Sequence, residues 1–202
     1  DVRAAAAGTV VEANFTDRPA PLLAYPRSVL IEHDTKIDGL PVYTMYGQLA
    51  SISVTQGQKV AAGEPIGKTG QPYDMATDNR STELEFEVWI GGKSVEYAVN
   101  PELYIQPVHS GNGIIVGQIV DEEFRALPGR RIDGVVKSPA THPNYTFSLS
   151  YAPGVNPSPQ WEENFVIGDV PPGVYDLAFP GGFKQQAVVE AGKITYLTVG
   201  LE

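Results

Sequence analysis

Apolar and polar residues alternate in short runs along this chain, and turn-forming residues interrupt them at close intervals. Val29-Leu30-Ile31-Glu32-His33 is an apolar run ended by Asp34, which predicts a buried strand. Pro41 to Tyr46 is rich in β-formers and predicts a second strand, and Ile52-Ser53-Val54 alternates like a third. Breaks follow at Gly57, Gly63 and Gly70, a spacing that suits a small rolled sheet whose strands bend and turn tightly. The clearest alternation is Glu83-Leu84-Glu85-Phe86-Glu87-Val88-Trp89. A period of two places Glu83, Glu85 and Glu87 on one face and Leu84, Phe86 and Val88 on the other, core-directed face. Asn100 to Tyr104 reads as one helical turn closing this part, and Pro107 to Gly113 reads as a linker.

Beyond Gly113 the pattern changes. Ile114 to Asp121 is an apolar strand with a glycine in mid-run, Leu127-Pro128-Gly129 is a turn, and Tyr145 to Leu149 alternates. A Pro-rich loop spans Pro153 to Pro159. Phe165–Ile167, Val170–Leu177, Val188–Lys193 and Ile194–Val199 then predict closely spaced strands and turns, the signature of an antiparallel β-sandwich. The expected fold is all-β, with one unit over residues 1–106 and a second over 107–202.

Composition narrows the function classes. The chain has 202 residues, 42% of them hydrophobic, which suits one or two domains each able to bury a core and is too many for a disordered chain. Its 21 glycines and 17 prolines favour turns over long helices. A net charge of −10 argues against nucleic acid and against docking on anionic lipid. No cysteine is present, so disulfides, thiolate metal sites and a cysteine nucleophile are excluded. No apolar run approaches the roughly 20 residues that span a bilayer, so no membrane insertion is expected. The chain opens on Asp1-Val2-Arg3 without a methionine and reads as a mature or trimmed chain.

Five segments, in order, resemble the lysostaphin-type (LytM-like) zinc metallopeptidases, which cut peptide cross-links of bacterial cell walls. They are Val2 to Val11, Val29 to Asp34, Tyr43 to Leu49, Val54 to Gly70 and Thr82 to Val88. The resemblance covers residues 1–105 and implies that family's rolled β-sheet. It also implies a zinc site built from a His-x-x-x-Asp pair and the second histidine of a His-x-His. The first histidine of that His-x-His, with the histidine of a Tyr-x-His-Leu, would assist the attacking water. Here Gln48 stands at the Tyr-x-His-Leu histidine, and Glu83 and Glu85 stand at the His-x-His. The His-x-x-x-Asp segment would lie before residue 1. A neutral amide neither takes up nor gives a proton at useful pH. A carboxylate without imidazole partners suits a hard ion held weakly rather than zinc. The three histidines, His33, His109 and His142, fall on none of the ligand positions.

The resemblance therefore implies a degenerate peptidase domain with no catalytic residue, no metal and no cofactor. Tyr46, Gln48, Glu83 and Glu85 are the candidates for a remnant groove. The glutamates read either as a site for a metal or cationic ligand or as a solvated strand face, and Gln48 with Tyr46 either as groove lining or as a packed remnant. Glu87 matches a glutamate common in the family, and His33 reads as structural. The polar stretch Gln71 to Ser81 is longer than the family's loop, at a place where a binding surface is remodelled. Gly67-Lys68-Thr69-Gly70 lacks P-loop spacing and reads as a strand turn. The three Asn-x-Ser/Thr matches, at Asn14, Asn79 and Asn144, carry almost no weight, because so short a pattern arises by chance.

The second half resembles the carboxypeptidase regulatory-like domains, a transthyretin-like sandwich. The matching pieces are Ile115–Asp121, Leu127–Gly129, Val170–Leu177 and Val188–Leu201, and the stretch from Arg130 to Thr146 is longer than usual. Such domains act as spacers or binding modules. Trp161 and Tyr151 flank the Pro-rich loop and either stack on a sugar ring or cover the loop. The reading for the whole chain is a zinc-free, non-catalytic binding module of the cell envelope or extracellular space. Its candidate partners are a cell-wall peptide or a cell-wall hydrolase. Two other readings stay open: an active metallo-endopeptidase whose ligands lie upstream of residue 1, and a structural spacer of a larger surface protein.

Overall fold

The computed structural model describes residues 1–16, 18, 25–69, 83–134 and 147–201. Two compact units emerge, Asp1–Val99 and Asn100–Glu202.

The first unit contains β1 (Val2–Arg3), β2 (Gly8–Asn14), β3 (Ser28–Ile37), β4 (Leu40–Gly47), β5 (Leu49–Ile52), β6 (Lys59–Val60), β7 (Pro65–Thr69), β8 (Glu85–Ile90) and β9 (Ala98–Val99). Six strands form a sheet in the order β6-β2-β3-β4-β8-β9, and three more form a sheet in the order β1-β7-β5. Every pairing in both sheets is antiparallel. One face of the large sheet supplies Val10, Val29, Ile31 and Tyr46 to a core shared with Val2, Leu49 and Ile66. The other face buries Leu30, Tyr43, Met45 and Trp89. The run Val29-Leu30-Ile31 is unbroken by polar residues because alternate members serve opposite faces, both covered.

Two boundaries differ from the sequence pattern. The strand expected to end at Asp34 runs on to Ile37, and Asp38 and Gly39 form the hairpin turn with φ of 50° and 80°. Two consecutive positive φ values match a type I′ turn, which Asp-Gly favours. Leu84, expected on the core-directed face, is 41% exposed. Pairing between β4 and β8 ends at Gly47↔Glu85, so residues 83 and 84 lie beyond the paired part of the strand. Phe86 keeps its expected side, edge-on to Tyr46 with ring centroids 5.4 Å apart. The loop from Gln71 to Ser81 lies outside the described residues.

The second unit begins with a 3-10 turn, Pro101–Leu103, capped by the Asn100 side chain, which accepts from the Glu102 N–H. Its strands are β10 (Gly113–Val120), β11 (Arg131–Asp133), β12 (Phe147–Leu149), β13 (Phe165–Val170), β14 (Gly173–Ala178), β15 (Lys184–Val189) and β16 (Ile194–Gly200). They form two sheets, β13-β10-β16 and β12-β11-β14-β15. Both sheets contribute to a single core that includes Ile115, Ile119, Ile132, Phe165, Leu177, Ala187 and Val199. One pairing departs from the antiparallel expectation: β10 and β16 run parallel from Ile114↔Ile194 to Val120↔Gly200. The turn after Val189 carries the chain from one sheet to the other, where it pairs with a strand far earlier in sequence. Tyr145 and Thr146, expected to start β12, lie outside the described residues, as does His142.

Candidate functional site

Cross-strand register builds the site on the outer face of the large sheet. Glu12 pairs with Leu30, Leu30 with Met45 and Met45 with Glu87, so the four form one row across β2, β3, β4 and β8. The next pair along β4 and β8 is Tyr46↔Phe86, on the opposite face, and then Gly47↔Glu85. Glu85 and Glu87 therefore share the outer face, each half-buried.

Neither carboxylate stands alone. The Trp89 indole N–H donates to Glu87 Oε2 at 2.5 Å, and Trp89 itself is fully buried. The Tyr25 phenol hydrogen-bonds Glu87 and also Glu85. The hydrogen bond to Glu87 is the main cause of a strong rise in the Tyr25 pKa, with burial and the two negative charges adding to it. Burial is the main influence on Glu85 and raises its carboxyl above the usual range. A hydrogen bond from the Gln48 amide opposes that rise, the Glu87 charge adds to it, and the Tyr25 hydroxyl opposes it. In the same row, one carboxylate oxygen of Glu12 is buried without a hydrogen-bond partner among the described residues, and burial raises that group too.

Gln48 and Glu85 are thus brought together, with Tyr25, Glu87 and Trp89 completing the cluster. Glu83 is exposed and precedes the strand. Tyr46, expected beside Gln48, faces the inner core at 2% exposure. Its hydroxyl oxygen accepts from the Ala5 N–H at 2.7 Å and lies 2.9 Å from the Thr44 hydroxyl. Consecutive residues of a strand point to opposite faces, so Tyr46 and the outer-face row cannot line one groove.

Gln48 has φ of 59°, in the left-handed region that a long side chain enters at a cost. This turn ends β4 and aims the amide at Glu85. We expect Gln48→Asn, whose residue type tolerates this region, to stay within about 1 kcal/mol of the parent. Gln48→Thr, β-branched, is expected to lose roughly 2 kcal/mol. Urea unfolding of the two variants checks this, and equal midpoints would refute the strain.

His33 is buried and both of its ring nitrogens face polar partners. Its Nδ1 lies 3.2 Å from the Ala7 carbonyl oxygen and its Nε2 lies 2.8 Å from the Thr44 hydroxyl. Burial lowers its pKa, against smaller opposing effects from the backbone of Ala7 and Ala6 and from Asp34. The folded state therefore resists protonation more than the unfolded state does. Its stabilising contribution is complete above the ordinary imidazole value, about 6.5, and falls away as pH drops below it. The stability difference between the parent and His33→Gln is expected to shrink from pH 7.5 to pH 5.5, measured by denaturant unfolding at each pH. A constant difference would exclude His33 as the cause. His109 belongs to the second unit, where its Nδ1 is 2.6 Å from Asp169 Oδ2.

The donor set does not fit zinc. Zinc takes at least three imidazole, thiolate or carboxylate ligands in a tetrahedral arrangement. The cluster offers two carboxylates already bonded to an amide, a phenol and an indole, with no imidazole. Burial and the neighbouring charge raise the Glu85 pKa, whereas a zinc ligand must ionise readily. Among the described residues no three His, Asp or Glu side chains form a metal-ligand group.

Sequence reasoning missed Tyr25, which lies outside the five matched segments, and the role of Trp89. The alternation that grouped the glutamates extends to Trp89 and was the signal available for it. Gly67, Lys68 and Thr69 are part of β7, and Gly70 lies outside the described residues. In the second unit, Tyr151 donates to buried Glu163 at 2.9 Å. Trp161 packs on Leu103, Ile114, Val116 and Val166 and stacks with Tyr196 at 6.1 Å. Both aromatics therefore cover the unit's own core.

Comparison with known proteins places the first unit. Residues 1–97 match Peptidase family M23. Over 111 residues, 54% of this chain, the sequence is 35% identical to stage II sporulation protein Q of Bacillus subtilis (strain 168), and the match spans 33% of that protein. The chain thus corresponds to about a third of the curated relative's length. The catalytic domain of the antimicrobial peptidase lysostaphin from Staphylococcus simulans aligns with 51% of this chain and 68% of its own, at 22% identity and a TM-score of 0.40. A crystal structure of the SpoIIIAH and SpoIIQ complex aligns with 52% of this chain and 62% of its own, at 30% identity and a TM-score of 0.39.

Proposed function

With a Peptidase family M23 domain in residues 1–97, we propose that this chain works by binding rather than by cleavage, as a zinc-free module of the cell envelope or extracellular space whose partner is a protein. The observation that carries the reading is the pairing of Gln48 with Glu85. At the two positions where the resemblance implies imidazoles, the chain carries an amide and a carboxylate that meet, and the carboxylate also meets the Tyr25 hydroxyl. A closed cluster of this kind orders the sheet's outer face without a metal, and both of its carboxylates are already engaged by donors. The protein partner is proposed by analogy with stage II sporulation protein Q, whose namesake SpoIIQ is crystallised in complex with another protein. The second unit, by its resemblance to carboxypeptidase regulatory-like sandwiches, acts as a spacer or as a second binding surface.

A photo-reactive residue in place of exposed Glu83 tests the proposal. Irradiation in envelope fractions is expected to give a discrete protein adduct, and the chain is expected to stay in solution with protein-free cell-wall sacculi. Co-sedimentation with those sacculi would assign the wall polymer as the partner instead. Cleavage of cross-link peptides by the zinc-loaded chain would overturn the non-catalytic reading.

A further inference from the structure

The second unit holds a cavity of about 580 Å³ lined by Leu127, Arg130, the Pro180–Phe183 loop, Gly200 and Leu201. Its lining is mixed: the apolar side chains of Leu127, Pro180, Phe183 and Leu201, the exposed main chain of three glycines, and one charge. Arg125 is paired with Asp121 and Glu123, and Arg131 is paired with Asp133 and lies over the Phe147 ring. The guanidinium of Arg130, between them in sequence, has no partner among the described residues. In a chain of net charge −10 an unpaired arginine beside a cavity is a specific feature.

Each wall is held in place. Buried Ser150 donates through Oγ to the Leu127 carbonyl at 2.6 Å and accepts the Arg130 N–H at 2.8 Å, while its own N–H donates to the Arg130 carbonyl at 2.9 Å. The Phe179 N–H donates to the Phe183 carbonyl at 2.9 Å and closes the glycine loop, and the Leu201 N–H donates to the Val120 carbonyl at 2.8 Å. Gly181 and Gly182 have φ of 78° and 81°, and a Cβ at 181, 182 or 200 would meet nothing within 4 Å. Bare peptide backbone therefore faces open space on two sides of the cavity, where a ligand's polar groups can reach it.

We infer that this cavity is a binding site for the C-terminal end of a peptide. The α-carboxylate pairs with the Arg130 guanidinium, and the apolar last side chain lies against Leu127, Pro180, Phe183 and Leu201. A guanidinium fork matches a carboxylate in geometry and charge. The volume lies in the range of small-ligand sites, and fixed walls reduce the ordering cost of binding. A carboxylate-free apolar ligand would leave the arginine unanswered, and an anion without an apolar body would leave the exposed Pro180 and Phe183 side chains in water.

NMR titration of the full chain tests this with three probes: N-acetyl-alanyl-leucine, its C-terminal amide, and hexanoate. N-acetyl-alanyl-leucine is expected to shift the Arg130 side-chain N–H and the amides of Gly181, Gly182 and Gly200 saturably. The amide and hexanoate are each expected to bind roughly 10-fold more weakly, as is N-acetyl-alanyl-leucine to Arg130→Gln. Arg130 is exposed, so that variant keeps the fold. Because the residue after Leu201 in sequence is an acid, Glu202→Gln is titrated in parallel. Equal binding of acid and amide, undiminished binding to Arg130→Gln, or no saturable shift in either the parent or Glu202→Gln overturns the site. Hexanoate binding as tightly as N-acetyl-alanyl-leucine overturns the assignment to a peptide end.

Discussion

Trp89→Ala is expected to destabilise the first unit by about 3–5 kcal/mol, the usual cost of truncating a fully buried aromatic. Two effects add. The indole fills the outer-face cluster with Leu30, Tyr43 and Met45, and its removal leaves a cavity under the sheet. Its N–H also satisfies Glu87, and a half-buried carboxylate that loses a donor carries a further penalty. Domains of this size are stable by only about 5–15 kcal/mol, so the first unit's transition moves far down the denaturant scale. Trp89→Phe retains most of the volume and separates packing from hydrogen bonding, with an expected loss of roughly 1–2 kcal/mol. The chain has 2 tryptophans, so Trp161 fluorescence in Trp89→Ala reports the second unit alone while circular dichroism follows both. A loss under about 1 kcal/mol in the first unit would show that the outer-face cluster is not a core.

Gly117→Ala is expected to abolish folding of the second unit. A Cβ at this position would stand 2.0 Å from the Leu197 carbonyl oxygen and 3.0 Å from the Phe165 ring. Backbone this close cannot yield without parting β10 from β16, which pair in parallel along the whole of Ile114 to Val120. The Gly117 carbonyl also accepts the Asn164 N–H at 2.8 Å, tying the loop before β13 to the same point. Overpacking by even one methylene commonly costs about 1–3 kcal/mol, and this contact is with main chain rather than a side chain that can rotate away. The expected result is loss of the Trp161 unfolding transition, with the first unit's transition retained. A variant with the parent's transition would mean that the two strands are not in this contact.

The residues that carried the fold were those with one consistent period. Val29-Leu30-Ile31 and Glu85-Phe86-Glu87-Val88 announced their strands because both faces of the sheet act on them. What stayed illegible was set by pairing at a distance. The polar stretch Asp34-Thr35-Lys36 hides the second half of β3, and with it the Asp38-Gly39 turn. Leu84 has the right residue type and parity, yet it lies beyond the end of its partner strand. The parallel register of β16 on β10 depends on a residue pairing 80 positions apart, which no local pattern encodes. At the site, motif position located Gln48 and Glu85, and register joined them. Tyr46 shared the motif but not the face, and Tyr25 shared the face but not the motif.

Zinc content tests the central claim most directly. The purified chain is incubated with zinc, desalted and measured by elemental mass spectrometry, with Glu85→Ala alongside. Because Gln48, Tyr25 and Trp89 already occupy the two carboxylates, both proteins are expected to retain far less than one zinc per chain. Near-stoichiometric zinc that disappears in Glu85→Ala would contradict the account and return this face to metal-dependent chemistry.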